Sequence, residues 1–252
     1  MDDLLALHPY VEPPWSYQDV GMTTIWCRTR ESSDLHALVP PQVEPRYEDG
    51  RFALLHLDVG SVTELGPTYR SNELALVIPV HTPSGSTGGL IAFMLVDNDA
   101  ALAAGREIWG HPKVLGRVTG DWDAEARHLR IIGERVPSVD GAATTVVDAA
   151  VRLDETVRDG LDELDAALRP RLLVRASRDP ATGRPRGHLA VALQLDEIVV
   201  GTRVTGAADV RFGSWAGLDR LGEIEVAGAM YQTCQFTLDY GAETAHGTTR
   251  LR

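Results

Sequence analysis

The chain has 252 residues, of which 44% are hydrophobic and 24% charged, so it can bury a sizeable core and is not expected to be disordered. The formal net charge is -12 and the arginines are scattered, which argues against nucleic acid and anionic membrane surfaces as partners. Two cysteines are too few for a disulfide framework, the first residues lack the basic region of a secretory signal, and no apolar run reaches the roughly 18 residues of a membrane-spanning helix. We therefore expect a cytoplasmic protein.

Strand-forming segments dominate the chain. Eight runs are rich in β-branched or alternating apolar residues, which favours strands. They cover residues 22–27, 52–62, 74–81, 90–96, 146–153, 172–176, 189–200 and 223–238. The runs follow one another through turns, and the glycine- and proline-rich segments 82–89 and 179–185 are typical of hairpin loops. The pattern predicts a mostly antiparallel β-structure of the α+β class.

Three short helices are predicted between these strands. The first covers residues 34–38, with Ser32 or Ser33 as its cap, and the second covers 100–108, with Asp97 or Asn98 as its cap. The third covers 158–168 and ends at Pro170. Because no internal repeat or linker interrupts the pattern, we expect a single domain over residues 1–252.

Lys113 is the most informative residue, because it is the only lysine beside 23 arginines. An amine can lose its proton and condense with a carbonyl near neutral pH, whereas a guanidinium cannot. Gly110 and Pro112 end the second helix just before it, so Lys113 leaves a rigid corner and enters a strand-like segment at 115–122. Such a corner suits a covalent nucleophile, although an isolated lysine can also be a solvated surface charge.

The residues around Lys113 carry a family resemblance. Residues 106–113, Arg-Glu-Ile-Trp-Gly-His-Pro-Lys, resemble the signature of the acetoacetate decarboxylase family, whose lysine forms a Schiff base with a ketone. Residues 38–40 and the strand that begins at Asn72-Glu73-Leu74 are similar to further family segments, and the likeness extends over about residues 17–240. It implies an acetoacetate decarboxylase-like closed β-barrel or sheet, an imine at Lys113, acid–base work by Glu73, no cofactor and a homo-oligomer.

Two departures from the family pattern bear on which substrate the protein uses. Well-characterised decarboxylases of the family have a second lysine directly after the first, and here that position is Val114. A gapless comparison also places Val20 where the family has an arginine. Both differences argue against acetoacetate itself as the substrate. Because Val114 cannot supply the positive charge of a second lysine, burial of Lys113 among apolar side chains would have to favour the neutral amine.

Four further side chains are candidates for substrate binding. Arg70, Arg106 and His111 could add a positive field, and Trp109 could form an apolar wall. Glu73 could equally be a solvated strand carboxylate, and His111 could be packed scaffolding. The histidines show no pair at i, i+4 spacing, so we identify no metal site.

The sequence therefore leaves three functions open. The first is a Schiff-base carbon–carbon lyase that decarboxylates a small β-keto acid. The second is an aldolase–dehydratase that condenses a pyruvate-type oxo acid with an aldehyde, which the same lysine imine supports. The third is a protein that binds an organic acid on the same fold without turning it over.

Overall fold

The computed structural model describes residues 14–31, 33–41, 43–63, 66–82, 85, 87–135, 142–155, 160–169, 171–178, 185–192, 195–238 and 242–243. These residues form fourteen strands, which are β1 (Trp15–Thr29), β2 (Glu44–Pro45), β3 (Arg51–Thr63), β4 (Gly66–His81), β5 (Thr87–Val96), β6 (Lys113–Leu115), β7 (Arg117–Asp123), β8 (His128–Arg135), β9 (Thr144–Arg152), β10 (Arg171–Arg178), β11 (Pro185–Ala192), β12 (Leu195–Phe212), β13 (Ile224–Leu238) and β14 (Ala242–Glu243). The helices are α1 (Ser33–His36), α2 (Asp99–Ala104) and α3 (Leu161–Ala167), together with a π-helical turn (Gly105–Trp109) and a 3₁₀ helix (Trp215–Leu221).

All strands belong to one sheet, and most neighbours are antiparallel. The order is β14-β11-β10-β5-β4-β3-β1-β13-β12-β9-β8-β7, with β2 paired to β4 and β6 paired to β5. The pairs β10–β5 and β5–β6 are parallel. The predicted mostly antiparallel β-structure with a few short helices is therefore confirmed.

The expected closure into a barrel is wrong, because the described strand order is an open path from β14 to β7. The sheet bends instead at β12, whose residues up to Gly206 pair with β13 and whose residues from Ala207 pair with β9. A Cβ at Gly206 would lie 1.9 Å from the carbonyl oxygen of Arg152, so only glycine allows this change of partner. The bend lays β7, β8 and β9 over the rest of the sheet, which buries a core without closure.

Each predicted strand overlaps an observed one, but the match is incomplete, and the two-residue strands β2 and β14 are among those not predicted. The predicted run 189–200 spans the end of β11 and the start of β12, and β8 and the second half of β12 were missed. The predicted second helix is divided between α2 and the π-helical turn. Residues 32, 83, 84, 86, 158, 170 and 179–184 lie outside the described residues, and residues 87–89 of the first predicted loop belong to β5.

Alternate residues of the central strands build two separate cores on the two faces of the sheet. The packed face, with Leu54, Leu74, Leu76 and Leu95 fully or almost fully buried, lies against side chains of β7, β8 and β9. The cavity face is formed by Leu55, Ala75, Val77, Met94 and their neighbours, together with side chains of α3 and of the segment around Trp109. No helix in the described part of the chain is long and apolar enough to cross a bilayer.

Candidate active site

Three adjacent strands bring the candidate catalytic residues to the cavity face. Ala75 of β4 pairs with Met94 of β5, and Met94 pairs with Lys113 of β6. Glu73 precedes Ala75 by two residues and therefore points to the same side of the sheet. The register thus explains how Glu73 and Lys113, forty positions apart, come together.

The π-helical turn determines where Lys113 enters its strand. Gly110 ends the turn in the left-handed conformation at φ 80°, and the N–H groups of Gly110 and His111 both donate to the carbonyl oxygen of Gly105. A π-helical turn inside a helix is rare and is frequently found at functional sites. Here it directs Trp109, His111 and Lys113 towards one cavity.

Lys113 and Glu73 form a buried ion pair. Lys113 Nζ donates to Glu73 Oε1 at 2.7 Å, and the two side chains are 6% and 11% exposed. Ser71, which is also buried, donates a longer bond of 3.4 Å to the same oxygen. Because burying charge is costly even in a pair, this pair points to function more than to stability.

Gly105 leaves the space that the lysine side chain occupies. A Cβ at this position would lie 2.6 Å from Lys113 Cδ and 2.8 Å from Lys113 Cε. Gly105 itself has ordinary helical dihedrals, at φ -58° and ψ -40°. The need for glycine here is therefore set by the close approach of the lysine and not by the backbone conformation.

His111 lies beside the ion pair and is held neutral. Burial lowers the pKa of His111 well below its usual value, and the positive charge of Lys113 lowers it further. Its Nδ1 atom is buried and has no hydrogen-bond partner among the described residues. A neutral imidazole in this position can donate or accept a hydrogen bond without adding charge to the cavity.

The cavity has a volume of about 360 Å³ and a largely apolar lining. This volume lies within the range of about 300–1,000 Å³ typical of small-molecule sites. Apolar side chains from β1, β3, β5 and β13 surround Glu73, His111 and Lys113, among them Met22, Leu55, Ile91, Met94 and Phe236. Cys234 also lines it, but burial raises the pKa of its thiol, which disfavours the thiolate that a nucleophile requires.

The four candidate binding residues fall into two groups. Trp109 and His111 line the cavity, and the Trp109 ring packs edge-on against Trp15 at 5.3 Å between centroids. Arg70 lies at the surface, where it binds Asp58 at 3.2 Å, and Arg106 is exposed. Neither of these two arginines is among the described residues that line the cavity.

Two cavity arginines were missed from the sequence. Arg169 follows α3, Arg171 begins β10, and both line the same cavity as Lys113. Burial lowers the pKa of Arg171 to about 10, so its guanidinium remains charged at neutral pH. The only signal in the sequence is an Arg-Pro-Arg segment among 23 scattered arginines, which gives no reason to place it at a site.

The two departures from the family pattern have a structural explanation. Val114 follows Lys113 in β6 and packs against the core of the packed face, so it points away from the cavity. Val20 is fully buried among the apolar residues of the cavity face. Among the described residues that line the cavity, the cations beside Lys113 are Arg169 and Arg171.

Comparison with known proteins places the chain in a family. The family model described as acetoacetate decarboxylase (ADC) matches residues 7–246. The chain therefore belongs to the acetoacetate decarboxylase family, as its sequence motif predicted. No match was found among curated protein sequences.

Solved structures share the fold at low sequence identity. An acetoacetate decarboxylase from Legionella pneumophila is 21% identical, with a TM-score of 0.75 over 95% of this chain and 90% of that chain. An acetoacetate decarboxylase-like enzyme from Sphingomonas wittichii RW1 is 20% identical, with a TM-score of 0.77 over 94% of each chain. The enduracididine biosynthesis enzyme MppR, in complex with the condensation product of pyruvate and imidazole 4-carboxaldehyde, is 19% identical, with a TM-score of 0.69 over 93% of this chain and 90% of that chain.

Proposed function

We propose that this protein is a Schiff-base-forming carbon–carbon lyase that acts on a small oxo acid, with decarboxylation of a β-keto acid as its first candidate reaction. The observation that carries the proposal is the 2.7 Å contact between Lys113 Nζ and Glu73 Oε1 inside an apolar cavity of about 360 Å³. The sole lysine of the chain is thus placed beside a carboxylate that can exchange protons with it.

The ion pair provides a route to the nucleophile. When a ketone enters, Glu73 accepts a proton from the Lys113 ammonium, and the neutral amine attacks the carbonyl carbon. The resulting carbinolamine loses water, with Glu73 returning the proton to the leaving hydroxyl group, and a protonated imine remains. Proton transfer over 2.7 Å requires no rearrangement of the two side chains.

In decarboxylation, the imine serves as the electron sink. The bond between the α-carbon and the carboxylate breaks, its electron pair moves towards the imine nitrogen, and carbon dioxide leaves an enamine on Lys113. The enamine carbon then takes up one proton from water, which the Glu73 carboxylate can accept and pass on, and the restored imine is hydrolysed by a second water to the ketone and the free lysine. The apolar lining assists because it disfavours the carboxylate charge that is lost.

Aldolase–dehydratase chemistry is the second candidate, and the size of the cavity favours it. The volume exceeds the need of a four-carbon acid, and the complex of MppR contains a condensation product of pyruvate with an aldehyde. In this reaction, the protonated imine of a 2-oxo acid loses a carbon-bound proton to the Glu73 carboxylate, and the resulting enamine attacks the aldehyde carbon while Glu73 returns the proton to the aldehyde oxygen. Loss of water and hydrolysis of the imine then release a conjugated oxo acid.

Covalent trapping at Lys113 tests the shared first step. Incubation with oxo acids and borohydride should add one reduced ligand to the peptide 107–117, since trypsin does not cleave at an alkylated lysine. Lys113→Arg keeps the charge but should reduce trapping below detection. Glu73→Gln should slow trapping by about 10²–10⁴-fold, the usual contribution of acid–base catalysis. An unmodified Lys113 after exposure to a broad panel of oxo acids would favour the non-catalytic binding protein.

Product analysis separates the two reactions. Carbon dioxide release is recorded with acetoacetate and longer β-keto acids, and the ultraviolet band of a conjugated product is recorded with pyruvate plus an aromatic aldehyde. We expect slow release from acetoacetate and faster release from a larger β-keto acid, both lost in Lys113→Arg. A conjugated product without gas release would assign aldol chemistry instead. The homo-oligomer, the absence of a cofactor and the cytoplasmic location stay predictions.

A further inference from the structure

The two cavity arginines have no role in the imine chemistry described above. Arg171 is half-buried and donates one hydrogen bond, to the carbonyl oxygen of Leu168. A guanidinium carries five N–H groups, so most of its donors are not used by the described residues. Burying a cation with spare donors is costly unless an anion meets it there.

The local charge balance leaves room for one anion. Arg169 binds Asp165 at 3.1 Å, and the Asp165 side chain is mostly buried. That carboxylate offsets one of the two arginine charges, so the cluster Arg169, Arg171 and Asp165 keeps one net positive charge. A single substrate carboxylate would neutralise this charge, and it could form two parallel hydrogen bonds with a guanidinium group.

The anion held by this cluster is not expected to be the carboxylate that leaves. An arginine that binds the departing carboxylate stabilises the charged ground state, and this interaction is lost as neutral carbon dioxide forms. It would therefore raise the barrier to decarboxylation. A carboxylate that remains in the product keeps its charge throughout, so binding it orients the substrate without opposing the reaction.

We infer that Arg171, assisted by Arg169, binds a carboxylate that the substrate retains, so that the substrate class is an oxo acid with an anionic group beyond any carboxylate lost as carbon dioxide. This inference rests on the proposed function, because it names the substrate of the same cavity. A decarboxylase substrate would then be a β-keto diacid, and a condensation substrate would be a 2-oxo acid that keeps its carboxylate.

Matched oxo acids and esters test the inference in the wild-type protein. Borohydride trapping rates are compared for 4-oxopentanoate, 5-oxohexanoate and 6-oxoheptanoate and for their methyl esters, none of which loses carbon dioxide. At the best chain length the acid should be trapped about 10- to 150-fold more efficiently than its ester, the range for hydrogen bonds to charged groups. Equal trapping of acids and esters at every length would overturn the inference while leaving the imine chemistry intact.

Variants assign the effect to Arg171. Arg171→Gln should lower trapping of the acid to the level of the ester, while trapping of the ester should keep its wild-type rate. Arg30→Gln is the matched control, because Arg30 is 79% exposed and pairs with Glu223 at the surface. A loss of trapping shared equally by acid and ester in a folded Arg171→Gln protein would show a structural role only.

A binding measurement separates this inference from the imine proposal. In Lys113→Met, where no imine can form, calorimetry compares hexanoate with hexanamide. Preference for hexanoate that disappears when Arg171→Gln is added supports the carboxylate site even if trapping fails in the wild type. Equal binding of hexanoate and hexanamide, or an unchanged preference in the double variant, would contradict it.

Discussion

The two faces of the sheet use the same strands for opposite purposes. In β4, Leu74 and Leu76 point to the packed face and are fully buried against β7, β8 and β9, whereas Glu73 and Ala75 point to the cavity. The packed face is densely filled with apolar side chains, and this packing stabilises the fold. The cavity face keeps an open volume and a buried ion pair, which cost stability and allow chemistry. Alternation along one strand therefore separates the residues that pack the core from those that line the cavity.

Two glycines make this comparison testable, since each is required by a side chain that approaches it closely. Gly105 accommodates Lys113 on the cavity face, and Gly133 of β8 accommodates Leu74 on the packed face. Adding one methyl group at each position disturbs one face at a time. The expected consequences differ in kind.

Gly105→Ala should cause the larger effect, a loss of imine formation of about 10²-fold, the effect expected when a reactive group is displaced by about 1 Å. The new Cβ would lie 2.6 Å from Lys113 Cδ and must displace the lysine from Glu73. The helical dihedrals of Gly105 suit alanine, so the urea midpoint should change little. The measurement is the borohydride trapping rate. Gly60→Ala is the control, since its nearest Cβ contact is 3.8 Å, and wild-type trapping in Gly105→Ala would refute the steric argument.

Gly133→Ala should destabilise the protein by about 1–3 kcal/mol, the usual cost of overpacking a dense core. Its Cβ would lie 2.5 Å from Leu74 Cδ2 and 3.3 Å from Leu95 Cδ1, two fully buried side chains. Urea unfolding measures the loss, and trapping per folded molecule should remain that of the wild type. Strong loss of trapping in a fully folded Gly133→Ala protein would show that the two faces are coupled.

The sequence identifies candidate residues that stand out by their local pattern more readily than residues whose position depends on long-range packing. Lys113 is recognisable because it is the only lysine and follows Gly110 and Pro112, and Glu73 is recognisable through the family resemblance. The register that joins them through Met94 requires the pairing of β4, β5 and β6, which no local pattern specifies. The sequence therefore predicted both members of the buried ion pair but not the geometry that joins them.

The parts that were missed share a physical cause. Strand β8 contains His128, Arg130 and Glu134 among its apolar residues, so its alternation is weak until it is seen packed on β7 and β9. Arg169 and Arg171 resemble any other arginine until β10 pairs with β5 and brings them to the cavity. The division of the second helix into α2 and a π-helical turn depends on where Lys113 must lie, which helix propensity does not encode.

Two buried histidines, one on each face, give the smallest expected effect and the last test of the comparison. His56 lies on the packed face against Gly120, and His111 lies at the cavity. Burial lowers the pKa of both. For His111 the charge of Lys113 adds to this shift, whereas for His56 a hydrogen bond with Asn72 and the charges of nearby carboxylates oppose it.

The sign of the stability change follows from these directions. Each histidine is neutral in the folded protein at a pH where the unfolded chain already binds a proton, so its contribution to stability is present above about pH 6.5 and decreases as the pH falls below that value. Between pH 7.5 and pH 5.5 the loss should approach about 1.4 kcal/mol for His111 and be smaller for His56. Urea unfolding at the two pH values measures it. His111→Gln should remove more of the pH dependence than His56→Gln. A larger effect of His56→Gln would contradict this comparison, because the charge of Lys113 lowers the pKa of His111 further whereas the surroundings of His56 partly oppose the effect of burial.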